Sequence, residues 1–450
     1  MSALAARLRS VVPPGALLAP GAPGYEQARL VYNRMHDTRP AAIVRSLDPR
    51  VLRRAVAVAT ELGAAVAVRG GGHHIGGFST VDGGLVLDFS VFRRVSYDPG
   101  TRTARVEPGA RLGDLDAELA ARGRCVPTGT VSDTGVVGLT LGGGIGWLVG
   151  AHGLTCDHLT GARVMTAGGA VLDVTADSHP DLFTALRGGG AGAFGVVLEL
   201  SFRTVPLPDV VAGSVLVPLG AAAETLTRLA GLMRADPPTA TTLAPVLGVH
   251  GLSVDLCCHD DHDRELSRLR ALLGGDWSDV VARPYPSWQS HFDGLFRPSR
   301  GYWKSVHFEH LDLPPHVLVE AVATAPSPHR SVLVEYYNAR TLRAHAPGSA
   351  YPLRGSRMGV LLSARWQDGA DDEAHVAWAR TWARRLRSAG GTKAYSNYSE
   401  AEDGGMRPSY DDDALALFRR LEAEYDPDRL FARGHRAALT STSRDDPITR

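Results

Sequence analysis

The period of the apolar positions changes repeatedly along the first half of the chain, and each change marks an element. Residues 49–63, PRVLRRAVAVATELG, repeat apolar side chains at three- and four-residue spacing. With Pro49 near the start and Gly63 at the end, they predict a helix. The short apolar run AAVAVRG then reads as a strand that enters the glycine cluster Gly70–Gly72. GLVLDFS and RTARVEPGA are strand-like, RLGDLDAELAARG is an amphipathic helix, and VMTAGGAVLDV reads as a hairpin with a glycine turn. VVLELSFRTV closes this half as a long strand.

The texture shifts at residues 206–210, PLPDV. Beyond them, strands (GSVLVPL, TLAPVLGV, LSVDLCC) alternate with longer helices (AAAETLTRLAGLMRA, DRELSRLRALLGG) and the glycine clusters stop. Adjacent Cys257 and Cys258 are expected on opposite faces of their strand. Near the end, DDDALALFRRLEAEY forms a helix that Asp426-Pro427 terminates. A chain of 450 residues exceeds what one core usually organises, so two packed domains are expected.

Charge narrows the partners. Acidic and basic residues balance at 48 each and alternate locally, so no field recruits nucleic acid or a membrane surface. The four cysteines have neither zinc-site nor disulfide-framework spacing, and no metal is expected. No run approaches membrane-spanning length, and a cytoplasmic enzyme is the default expectation.

Chemistry concentrates in three glycine loops: RGGGHHIGG (69–77), GLTLGGGIGW (138–147) and RGGGAGAFG (187–195). Glycine lets backbone N–H groups approach a ligand without a Cβ in the way, and several such loops can nest phosphate oxygens. Tight turns in a β-rich domain are the plain alternative. The run GGGIG does not open a helix after a strand, so a Rossmann fingerprint is rejected. In Arg69-Gly70-Gly71-Gly72-His73 a strand delivers a histidine to the far edge of a glycine loop, beside whatever the loop holds. A surface histidine, or a metal pair with His74, are the competing readings.

VAVRGGGHHIGGFSTVDGGLVLDFS, GTVSDTGVVGLTLGGGIGWLVGAHGLTCDHLTGARVMTAGGAVLDV and DLFTALRGGGAGAFGVVLEL resemble the FAD-linked oxidases of the berberine-bridge-like group. That group lies in the vanillyl-alcohol-oxidase flavoprotein superfamily. YSNYSEAED and YDPDRLF extend the resemblance toward the end of the chain, while the middle is weakly similar. The resemblance implies an α+β fold of two domains. A PCMH-type FAD-binding domain would span residues 1–208, and a substrate domain with an antiparallel sheet residues 209–395. Residues 396–450 would return to the first domain.

The resemblance also assigns a site. Its first loop, with Arg69, Gly70, Gly71, Gly72, His74 and Gly76, would hold the pyrophosphate. His73 would bond covalently to the 8α-methyl carbon of FAD, with His74 as the slip alternative. Cofactor contacts are further implied for Gly129, Val131, Ser132, Thr134 and Gly135 in GTVSDTG. In the second loop they fall on Gly138, Leu139, Gly142, Gly143, Gly144, Gly146 and Trp147. Gly195, Val196 and Val197 follow the third loop, and Tyr395 and Asn397 belong to AYSNYSE. Many relatives add a cysteinyl bond where this chain has Val131, so a single covalent link is expected.

For catalysis the resemblance points to Tyr398 beside the flavin, to Lys304 in GYWKS, and to the strand VLVEYYNAR. Alternation there puts Tyr336 and Asn338 on one face and Glu335 and Tyr337 on the other, and the catalytic choice falls on Tyr336 and Asn338. The plant enzymes' glutamate base is missing from ARTLRAHAPGSAYPLR, leaving His345 or Tyr398 to serve. A closing N-Q-N is replaced by Gly434-His435-Arg436.

The expected function is an oxidase acting on a small organic molecule, with a bacterial secondary metabolite as the expected substrate class. Hydride would pass to covalently bound flavin, and O2 would reoxidise it with H2O2 release. A flavin-N5-oxide monooxygenase, or a flavin-bearing self-resistance protein that binds a drug, are the alternatives. Monomer and homodimer are both compatible with the sequence.

Overall fold

The computed structural model describes residues 2–190, 194–259, 262–327, 330–344, 347–400 and 409–431. The first sheet carries β1 (Leu17–Leu18), β2 (Ala42–Val44), β3 (Val66–Arg69) and β4 (Leu85–Asp88) in the order β1-β2-β4-β3, with β2 and β3 both parallel to β4. Between β2 and β3 the helix Pro49–Glu61 forms the crossover. Asp48 caps its first turn, and Leu52, Ala55, Val56 and Ala59 fill the core against the sheet.

A second, antiparallel sheet comprises β5 (Val95–Asp98), β6 (Thr103–Val106), β8 (Leu159–Met165), β9 (Val171–Val174) and β10 (Val196–Arg203), ordered β5-β6-β10-β8-β9. The short β7 (Arg124–Cys125) pairs with β11 (Val205–Pro206). β10 divides two cores, and a register shift between Val197 and Glu199 breaks its simple alternation. Val196 and Leu198 face the first sheet, while Val197, Leu200 and Phe202 join the core that the helix Asp412–Tyr425 covers with Leu415, Phe418 and Leu421. The end of the described chain thus packs on its first half.

The third sheet has seven antiparallel strands: β12 (Asp209–Val217), β13 (Thr241–Gly248), β14 (Gly251–Cys258), β15 (Val281–Pro284), β16 (Arg300–Phe308), β17 (Arg330–Tyr336) and β18 (Met358–Trp366). Their order is β15-β12-β14-β13-β17-β18-β16. The helices Leu219–Ala235, Pro315–Ala323 and Asp372–Ser388 cover one face through Leu229, Leu318, Trp378 and Trp382. The other face carries Ala212, Ala244, Cys257, Trp303, Leu333 and Leu361. Cys258 belongs to the helix-side core and Cys257 to the opposite one, as period-2 alternation requires.

The second glycine segment, expected as a loop over 138–147, instead begins inside a helix, Val136–Gly142. Val136, Val137 and Leu141 give it a buried face that outweighs the helix penalty of Gly138. Positive φ is confined to Gly143 and Gly144, where the helix ends. Among the described residues no helix is long and apolar enough to cross a membrane.

Candidate FAD site

A cleft of about 1720 Å³, counting its opening to solvent, runs from Val66 and Phe89 beside the first sheet to Trp303, Leu333 and Leu361 on the third. Gly70, Gly72, His73 and His74 line it from the first glycine loop. Gly129, Val131, Thr134, Gly135, Gly138 and Leu139 line it from the second segment. Gly195, Val197, Tyr395, Asn397 and Tyr398 complete the wall.

The two histidines differ in one decisive respect. His74 is engaged at both nitrogens: Nε2 donates to the Ser396 carbonyl at 3.0 Å, and Nδ1 accepts from the Gly76 N–H at 3.1 Å. His73 is likewise half-buried, yet its buried Nε2 has no hydrogen-bond partner among the described residues. Its ring stacks on Tyr32 with centroids 4.0 Å apart. Burial, and then the neighbouring Arg111 and His74, push the His73 imidazole down to about 3, so it is neutral at pH 7. A neutral ring with an unpartnered nitrogen in a cleft is a nucleophile without competition.

The glycines divide between two tasks. Gly138 has nothing within 4 Å of where a Cβ would stand, so its face is open to the cleft. Gly71 and Gly135 instead touch each other, since a Cβ on Gly71 would lie 2.4 Å from Gly135 N. Gly142 leaves room for the Asn397 amide, and Gly146 presses on the Thr128 carbonyl. About half the glycine signal therefore lets backbone pack on backbone.

Arg69 is turned away from a ligand. Its guanidinium donates to the Ala28 carbonyl, and its Nε stands 3.8 Å from Asp88. Asn33 joins the histidine loop to the third sheet: its Nδ2 donates to the carbonyls of Ile75 (2.7 Å) and Gly301 (2.9 Å), and its Oδ1 accepts from Gly301 N at 3.0 Å. That clamp fixes β16 relative to His73.

Opposite the glycine loops lies a polar cluster. Tyr395 Oη accepts from Gly144 N and from Asn397 Nδ2, each at 2.9 Å. Tyr398 donates to Glu335 Oε1 at 3.3 Å, and Tyr337 donates to Glu335 Oε2 at 2.6 Å. Burial raises the Glu335 carboxyl to about 7, against the two tyrosine hydrogen bonds that favour its ionised form. The same burial raises both phenols well above their usual value, so the carboxyl is the group of this cluster that titrates near neutrality.

Glu335 corrects the choice made along VLVEYYNAR. On β17 the cleft side carries Leu333 and Glu335, with Tyr337 just beyond the strand. Val332, Val334 and Tyr336 point into the helix-side core. Asn338 accepts from Arg340 N and Thr341 N at the start of the helix Ala339–Ala344, a capping role. Lys304 is buried on the helix-facing side of β16, with its ammonium 5.0 Å from the Tyr302 ring centroid, while Trp303 lines the cleft. His345 and Gly434-His435-Arg436 lie outside the described residues.

Trp147 packs with Trp288 and Phe292 instead of lining the cleft, and Ser132 N donates to Asp293 at 2.7 Å. Val196 sits in the core behind the cleft wall. Sequence reasoning missed Tyr32, Asn33 and Trp303. Of these, only Trp303 carried a signal, the period-2 pattern of its strand.

His73 and glycines of both segments line one cleft, and among the described residues no group hydrogen-bonds the His73 Nε2. Residues 40–175 match the FAD binding domain family. Over that span the chain carries an FAD-binding domain, and the relatives it is similar to are named FAD-linked oxidoreductases and oxidases.

It is similar to (R)-6-hydroxynicotine oxidase of Paenarthrobacter nicotinovorans, at 28% identity over 93% of this chain and 95% of that protein. The uncharacterized FAD-linked oxidoreductase YgaK of Bacillus subtilis is 37% identical, but the match spans only 42% of this chain and 43% of that protein. Physcomitrella patens BBE-like 1 shares the fold with a TM-score of 0.84, covering 96% and 98% of the two chains at 23% identity.

Proposed function

We propose that this oxidoreductase is an oxidase of a small organic substrate whose FAD is tethered singly through His73. The observation that carries the tether is the buried, partnerless Nε2 of a neutral imidazole beside a glycine-lined cleft. Val131, which lines the cleft where many relatives have cysteine, supports a single link. In this reading residues 1–208 and the returning segment 396–450 hold the cofactor, and residues 209–395 present the substrate.

Bound FAD supplies a two-electron acceptor that O2 restores, with release of H2O2. The chain supplies the rest. Glu335, with a pKa of about 7, takes the proton that leaves the substrate, either directly or through the Tyr398 hydroxyl. Tyr337 holds the carboxylate by its second oxygen. Tyr395 and Asn397 lock the wall beside the second loop. Leu333, Leu361 and Trp303 give this space an apolar wall.

His73→Ala tests the tether. Wild-type protein precipitated in acid is expected to keep its yellow colour in the pellet, whereas the variant releases all flavin to the supernatant. Equal retention by the two proteins would overturn the assignment.

A further inference from the structure

Past the Trp303 ring, on the cleft-facing side of the third sheet, several buried hydrogen-bond donors have no acceptor. Leu361 on β18 lines the cleft, and alternation puts Ser363 and Arg365 on the same face. Across the pairing with β16, Ser363 stands opposite Trp303 and Arg365 opposite Gly301. Trp303 Nε1, Ser363 Oγ, Arg365 Nε and Tyr32 Oη are all buried without a hydrogen-bond partner among the described residues.

Aromatic contacts hold these groups around one wall. The Arg365 guanidinium lies 4.9 Å from the Phe296 ring centroid, and Phe296 meets Trp303 edge-on at 5.7 Å. Tyr32 meets Trp303 at 6.1 Å.

Arg365 is the telling member. Among the described residues it has no ion pair, and the only charge acting on it is that of the Tyr32 phenol, which burial keeps protonated up to about 12. A partly desolvated guanidinium without a counter-anion is costly. Arginine and the tryptophan N–H are donors only, and the two hydroxyls can turn to donate. The complement of four such groups is acceptor-rich and negatively charged.

This step rests on the tether at His73. Tyr32 stacks on that ring, so a flavin bonded there through its 8α-methyl carbon would bring its carbon edge beside the donors and offer them no acceptor. The acceptor must come with the substrate.

We propose that Arg365, aided by Trp303, Tyr32 and Ser363, binds a carboxylate carried by an elongated and otherwise apolar substrate. Glu335 pairs with Gly359, six residues before Arg365 on β18, so about 20 Å of strand separates the two levels. Leu333, Leu361, Trp303 and Phe296 line the interval. The molecule that fits is an aryl or alkyl-aryl acid, oxidised at the end remote from its carboxylate.

The test is calorimetric titration of the purified flavoprotein with 4-biphenylcarboxylate and with its neutral isostere 4-biphenylcarboxamide. Wild type is expected to bind the acid at least about tenfold more tightly than the amide. Arg365→Gln removes that preference while amide affinity stays within about twofold, and Arg365→Lys keeps part of the preference. Equal affinities in wild type, no binding of the acid, or a preference that persists in R365Q overturns the proposal. The heat signal does not depend on how flavin is held. Acid release of flavin from wild type would therefore sink the tether while leaving the binding comparison intact.

Discussion

Glu335→Gln keeps the shape of the carboxyl and removes its titration. The structure raises this group from 4.5 to about 7, a difference worth about 3 kcal/mol of disfavoured ionisation. For catalysis the sign is direct. The ionised form is the base, so the rate of flavin reduction under anaerobic stopped flow should rise about tenfold per pH unit below 7 and level off above it.

In E335Q that limb disappears and the plateau rate falls by about 10²–10⁴. Stability runs the other way. A carboxyl whose folded pKa lies above its unfolded value contributes most at low pH, and the contribution is lost as pH rises through 7. E335Q should therefore gain up to about 3 kcal/mol on wild type between pH 4 and pH 9 in urea unfolding. A variant that keeps the wild-type inflection near 7 would refute the assignment of Glu335 as the base.

Two further substitutions test the supporting structure. In Gly71→Ala the new Cβ would meet Gly135 N at 2.4 Å, so the two glycine segments must part; a loss of about 1–3 kcal/mol and a lower flavin content per chain are expected. Arg354→Ala leaves the fully buried Asp157 carboxylate with Arg187 at 3.6 Å as its remaining ion pair among the described residues. Urea unfolding should register about 3–5 kcal/mol, and a change under about 1 kcal/mol would show that the pair does not stabilise the fold.

Local patterns carried most of the fold. The helix Pro49–Glu61 announced itself through Pro49, its apolar spacing and Gly63, and the pair Cys257–Cys258 obeyed strand alternation. His73 stood out at the edge of a glycine loop, and the resemblance singled out Tyr395, Asn397 and Tyr398; all four line the cleft. What escaped depends on which face of a strand looks inward.

VLVEYYNAR displays two faces of nearly equal polarity, and only the helices packed behind β17 decide that Tyr336 is core and Glu335 is not. Lys304 and Trp303 pose the same ambiguity on β16. The helix at Val136–Gly142 was hidden by its glycines, of which Gly142 leaves space for Asn397, a residue more than 250 positions away in the chain.

The tether can be read from one peptide. Trypsin cuts after Arg69 and Arg93, releasing GGGHHIGGFSTVDGGLVLDFSVFR, residues 70–93. Mass spectrometry of the acid-denatured, digested protein should find this peptide carrying the flavin, with fragment ions placing it on His73 and leaving His74 unmodified. An unmodified peptide, or flavin on His74, contradicts the bond at the partnerless imidazole.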